Sequence, residues 1–334
     1  MSDLEHTPDE PEFDPLAARD QALPDAPEPA LSLSKELASE TVDSTPPAEE
    51  PAELFQSWSR PEAVPPTRIP HLGHLCLLIP LGLIGLFCAS VLLMIALRFH
   101  LFGVATMDDA VKEVHYILGS EAIIYLVTFA LSIVIYPLFW NKGFFAGIQW
   151  RGAAALRLGW RIPALSLGCC SLALLDEIFL PGPEHAPIDD IFRTPGAAWL
   201  LFAFGVTLAP FFEEIFFRGF LLPALATAWD WASERFTGKR PSPLDANGHP
   251  QWSIQAMVIA SIATSLPFAL MHAEQTGHSF GPFLLLIAVS LILCVVRLKT
   301  RSLAASTMVH ACYNFMIFSF MMIGTGGFRH LDKM

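Results

Sequence analysis

Two adjacent carboxylates stand inside an apolar stretch, Phe211-Phe212-Glu213-Glu214-Ile215-Phe216-Phe217-Arg218-Gly219-Phe220. On a helix, Glu214 and Arg218 are four apart and share a face, where they can pair. Glu213 points about 100° away from Glu214. One carboxylate can thus be neutralised by the arginine while the other faces elsewhere. A carboxylate in an apolar, partly dry site suits general-base work on a water molecule. A buried Glu–Arg pair that only pins helix packing accounts for Glu214 and Arg218, but leaves Glu213 without a reason.

Two further clusters follow. Phe268 and His272 are four apart in Thr264-Ser265-Leu266-Pro267-Phe268-Ala269-Leu270-Met271-His272. A lone histidine near a helix end is more often a packing residue, so this cluster carries little weight alone. His310 and Asn314 are four apart in His310-Ala311-Cys312-Tyr313-Asn314 and project from one helix face. Membrane bundles use such pairs as interhelical glue, and for this pair the two readings stand even. Together the clusters change the balance. Water-driven amide hydrolysis needs a base for the water and donors for the oxyanion, and Glu213, His272, His310 and Asn314 would supply them. A bound metal ion is another way to activate the water.

The elements that must position these residues are membrane spans. The 334 residues are 53% hydrophobic and only 16% charged, whereas soluble domains carry about a quarter charged residues. A helix needs about 20 apolar residues to cross the hydrocarbon core. Seven runs qualify: 75–97, 118–139, 161–180, 197–228, 253–274, 281–298 and 302–324. The fourth is long enough for one tilted or kinked helix, with Pro210 and Pro223 inside it. Trp199, Trp229 and Trp231 read as interfacial anchors. The segment 142–160, with Phe144, Phe145, Trp150 and Trp160 among basic residues, reads as lying in the interface.

Residues 1–70 differ in kind. They hold 16 Asp/Glu, 4 Lys/Arg and 13 of the 27 prolines, so the whole net charge of −12 sits there. Such a segment buries too little apolar area to offset its ordering entropy, and a disordered acidic cytoplasmic tail is expected. It lacks the basic start of a signal peptide. Residues 71–334 balance to zero, which excludes a basic nucleic-acid-binding body. Lys142, Arg151, Arg157 and Arg161, then Arg235, Lys239 and Arg240, then Arg297, Lys299 and Arg301 mark alternate loops, while the intervening loops lean acidic. This predicts a cytoplasmic N-terminus and an outer C-terminus. The six cysteines fall in or beside the spans without CxxC or zinc spacing, so no disulfide framework is expected.

With these residues in place, the sequence resembles the CPBP family of CAAX-processing and bacteriocin-processing (Abi) intramembrane proteases. The family motifs EExxxR, FxxxH and HxxxN/D read here as Glu213-Glu214-x-x-x-Arg218, Phe268-x-x-x-His272 and His310-x-x-x-Asn314. Each is weak alone; three in order on separate spans are specific. The resemblance covers about residues 197–324, the expected protease core of a membrane domain 71–334. It implies an all-α polytopic bundle of about 7–8 transmembrane helices that cuts a peptide bond of a membrane-associated protein or peptide. It implies Glu213 as the water-activating group, assisted by His272, with His310 and Asn314 holding the oxyanion and Glu214, Arg218 and Phe268 in support. The cofactor stays open: a divalent metal such as zinc, with His272 and His310 as candidate ligands, or none in a glutamate-dependent mechanism. The expected location is the cytoplasmic membrane of a prokaryote, as a multi-pass protein in the lipid bilayer.

Two other classes remain. One is a non-catalytic membrane protein of the same fold, acting by binding, as in bacteriocin immunity. The other is a transporter, disfavoured because no repeat and no glycine-interrupted half-helices occur. One conflict accompanies the leading reading. His272 lies about 20 residues into its span and His310 about eight into a span running the same way, a depth difference of roughly 18 Å for straight helices.

Overall fold

The computed structural model describes residues 68–180, 196–238, 240–245 and 247–328. The acidic tail, up to residue 67, and the loop 181–195 lie outside the described residues. Among the described residues nine helices carry the fold: α1 (Leu72–Arg98), α2 (Val114–Trp140), α3 (Arg161–Phe179), α4 (Ala197–Val206), α5 (Leu208–Glu214), α6 (Leu222–Thr237), α7 (Ile254–Met271), α8 (Phe280–Thr300) and α9 (Leu303–Gly324). Shorter helical turns join them, including Phe144–Gly147 and Gly152–Leu156 in the segment expected at the interface. The described residues form no named strand, and one isolated bridge pairs Leu244 with Pro250.

Among the described residues seven helical runs are long and apolar enough to cross a membrane, with α4 to α6 forming one run of 41 residues. The chain is an integral, multi-pass membrane protein. Large apolar side chains such as Ile79, Leu83 and Phe87 on α1 and Val134 and Leu138 on α2 are exposed. In water such surfaces would drive association; in a bilayer the lipid tails cover them.

The long fourth span departs from regular α-helix at two places. At Thr207 the backbone leaves the helix (φ −114°, ψ −73°), and its hydroxyl donates to the Ala203 carbonyl. Pro210 is the third residue of α5, where a helix has no partner for its N–H groups anyway. Between α5 and α6, residues Ile215–Leu221 wind as a π-helix. Such wider turns inside α-helices often mark functional positions, and this one carries Arg218.

Helix packing places α1 on α2, α7 on α8, and α9 on α3 and α8. The α1–α2 contact is close because Gly85 has no side chain. A Cβ there would lie 2.8 Å from Thr128 Oγ1 and 2.9 Å from the Ile124 carbonyl oxygen. An aromatic cluster of Tyr136, Trp140, Phe144 and Phe220 ties α2 to the π-helical segment.

The basic loops meet at one end of the bundle. Arg68 pairs with Glu234 at 2.9 Å. Arg151 and Arg301 approach Asp245 at 3.9 and 3.8 Å, and Lys142 donates to the Asn247 carbonyl. The segments before α1, after α2, after α6 and between α8 and α9 therefore share that end. This is the arrangement that the alternation of basic and acidic loops requires.

Candidate active site

The site is built on four elements. α5 supplies Glu213 and Glu214, the π-helical turn Arg218, the end of α7 Phe268 and His272, and α9 His310. Glu214 and Arg218 are fully buried and joined at 2.7 Å. The guanidinium also donates to the Ser290 hydroxyl at 2.7 Å and the Ser290 carbonyl at 3.1 Å, both on α8. Its carbon sits 4.6 Å from the centre of the Phe268 ring, within cation–π range. The bonds to Ser290 offset part of the desolvation of this buried ion pair, while Glu214 Oε2 and Arg218 Nε have no hydrogen-bond partner among the described residues.

His310 links this pair to the second carboxylate. Its Nδ1 lies 3.2 Å from Glu214 Oε1, and its Nε2 lies 3.8 Å from Glu213 Oε2. His272 approaches from the other side, with Nε2 3.8 Å from Glu213 Oε1. Its Nδ1 lies 2.8 Å from the Phe268 carbonyl oxygen. A carbonyl only accepts, so Nδ1 carries the hydrogen and Nε2 keeps a lone pair facing Glu213. Two imidazoles thus flank one carboxylate at separations too long for direct hydrogen bonds. Such gaps suit a bridging water.

Among the described residues Glu213 is also the one carboxylate lining an apolar cavity of about 430 Å³ between α1, α2 and the α5 region. Leu83 and Leu86 from α1, Tyr125 and Phe129 from α2, and Phe216 are among its walls.

Of the seven sequence-derived residues, six converge: Glu213, Glu214, Arg218, Phe268, His272 and His310. Asn314 is held differently. Its Nδ2 donates to the Gly205 carbonyl on α4 at 2.7 Å, and it makes no bond to the other six. Several participants were not expected. Ser290 anchors Arg218, and Arg297 donates from Nε to the Arg218 carbonyl at 3.2 Å. Tyr125, hydrogen-bonded to Glu121 at 2.6 Å, lines the cavity and packs on Phe212. Glu121 is an ionisable residue inside an apolar span, so the search that found Glu213 had the signal for it. Gln275 and His278 lie in the turns after α7.

The donor set does not fit a metal ion. The two Nε2 atoms face opposite oxygens of Glu213, and among the described residues no three His, Cys, Asp or Glu side chains are arranged to hold one.

No curated protein and no solved structure matches this chain. A family model does: residues 195–316, the segment that holds all seven motif residues, match the type II CAAX prenyl endopeptidase Rce1-like family, the same family that the three motifs resemble.

Proposed function

We propose that the protein is an intramembrane endopeptidase in which Glu213 activates the water that attacks the peptide bond. The observation that carries this reading is the Glu213 carboxylate at the wall of an apolar cavity, flanked at 3.8 Å by Nε2 of both His272 and His310. The match to an endopeptidase family supports it.

A water between Glu213 and His272 would donate one hydrogen to Glu213 Oε1 and the other to the His272 Nε2 lone pair. Its own lone pair then points away from both, toward a substrate carbonyl. Glu213 takes the proton as the water oxygen bonds to the carbonyl carbon. The oxyanion that forms needs donors. Asn314, one turn after His310 on the same face of α9, has one carboxamide N–H held by Gly205 and a second that would turn toward the oxyanion once substrate is bound. His310 gives Nδ1–H to Glu214 and holds its Nε2 3.8 Å from Glu213 Oε2. Collapse of the intermediate breaks the C–N bond, and the proton on Glu213 passes to the leaving amine.

The substrate in this reading is a membrane-associated polypeptide whose apolar part lies in the cavity between α1 and α2. The clustering of basic loops at one end supports a cytoplasmic N-terminus. The test compares protein termini in membrane and secreted fractions of cells carrying the wild type or Glu213→Gln at matched expression. Termini that appear only with the wild type are expected and would name the substrate. Identical profiles from two stably inserted proteins would overturn the proteolytic reading and leave a binding function.

A further inference from the structure

A second cavity, whose lining does not include Glu213, lies at the basic end of the bundle. It measures about 360 Å³, and Gln149, Asp245, Trp252, Arg297, Lys299 and Arg301 are among its lining residues. Three of these six are cationic, and Asp245 is the one carboxylate. Arg151 lies 3.9 Å from Asp245 and adds a fourth positive charge nearby. The cavity therefore carries an excess of positive charge.

Arg297 is the unusual member. It is 2% exposed, yet no carboxylate among the described residues pairs with it. Its protein partners are neutral carbonyls: Nε donates to Arg218 at 3.2 Å, and Nη2 reaches the Ile148 oxygen at 3.5 Å. Nη1 has no hydrogen-bond partner among the described residues. The Glu214 charge acts favourably on this guanidinium but is itself paired with Arg218, so a buried Arg297 with only carbonyl hydrogen bonds gains from an anion that completes it. A guanidinium fork also matches a phosphate oxygen pair in geometry.

We propose that this cavity binds a phosphate group, with Arg297 at its base and Lys299 and Arg301 at its rim. The ligand is the headgroup of an anionic phospholipid or a free phosphate. The position favours the lipid, because basic pockets between transmembrane helices at the positively charged end meet the headgroup layer. Arg297 also bonds the Arg218 carbonyl beside the Glu213 site, so the test is made at the rim residues Lys299 and Arg301, which have no part in the peptide-cleaving reading.

The test uses the whole purified chain in neutral detergent and measures saturable retention of a fluorescent phosphatidylglycerol. Unlabelled phosphatidylglycerol is expected to displace it and phosphatidylcholine is not. Lys299→Gln/Arg301→Gln is expected to weaken retention at least fivefold. Asp245→Asn removes the competing carboxylate but keeps an oxygen for the Asn247 and His249 N–H groups, and should tighten retention. Displacement by millimolar inorganic phosphate would assign the site to a free phosphate as well; failure of phosphate to displace would assign it to the lipid. Equal displacement by phosphatidylcholine, or unchanged retention in the double variant, would overturn the proposal.

Discussion

His272 and His310 share one carboxylate, each with Nε2 3.8 Å from an oxygen of Glu213. They do so from different heights in their helices: His272 follows the last residue of α7, and His310 is the eighth residue of α9. The two helices start at different levels of the fourth span. Ser253, which caps α7, bonds Asp230 through its backbone N–H (2.9 Å) and its hydroxyl (2.6 Å). Leu303, the first residue of α9, packs instead over Gly219. Those anchor points are 11 residues apart, roughly 16 Å of helix. That offset accounts for the roughly 18 Å depth conflict expected from spans that begin level.

The Glu214–Arg218 pair is expected to hold the fold as well as the site. Arg218→Ala leaves a fully buried carboxylate without its cation, a change that costs about 3–5 kcal/mol in buried pairs. Arg218→Lys keeps the charge but cannot fork between Glu214 and Ser290, and should recover only part of the loss. Glu213→Gln, with no direct hydrogen bond to break, should leave the melting temperature close to wild type. Thermal unfolding of the three variants in one detergent checks this contrast. Equal destabilisation by Glu213→Gln would assign Glu213 a structural role.

Asn314→Ala removes the proposed oxyanion donor. Loss of one such donor typically lowers kcat about 10²–10³-fold. The expected signature is a fall in kcat with KM little changed, measured on the substrate identified by terminus profiling. A change confined to KM would mean that Asn314 only ties α9 to the Gly205 carbonyl.

Gly85 and Gly82 offer a matched pair on α1. A methyl at Gly85 meets the Ile124 carbonyl, whereas a Cβ at Gly82 meets nothing within 4 Å. Gly85→Ala should push α1 from α2 and cost about 1–3 kcal/mol, as overpacking does. Gly82→Ala should be neutral or raise stability slightly, since alanine suits a helix interior better. Paired melting curves decide it. A stable Gly85→Ala would show that the two helices are not packed as closely as described.

Asp245 should give the stability a dependence on acid pH. Burial pushes its carboxyl up, but the backbone N–H groups of His249 and Asn247, with the nearby His249 and Arg151 charges, bring it below the ordinary carboxylate range. A carboxyl with a lowered folded-state value stabilises above its unfolded value of about 3.9 and loses that contribution as pH falls through the folded value. The melting-temperature difference between wild type and Asp245→Asn should therefore be constant from pH 7 to about 5 and shrink below about 4. A difference that grows on acidification would contradict this assignment.

The sequence by itself determined what local geometry and solvent demand. Apolar runs of the right length gave the seven spans, because backbone groups in lipid must be satisfied within a helix. Spacing of four gave the Glu214–Arg218 pair, since side chains i and i+4 share a face at fixed pitch. The three motifs marked residues that are costly in a bilayer and so need partners. The identity of those partners was decided by tertiary structure. Ser290 stands 72 residues from Arg218, Gly205 109 from Asn314, and Glu214 96 from His310. No periodicity relates positions that far apart. Their meeting depends on which helix faces pack and how far the helices slide along one another, and here that sliding was fixed by two anchors, Ser253 on Asp230 and Leu303 over Gly219.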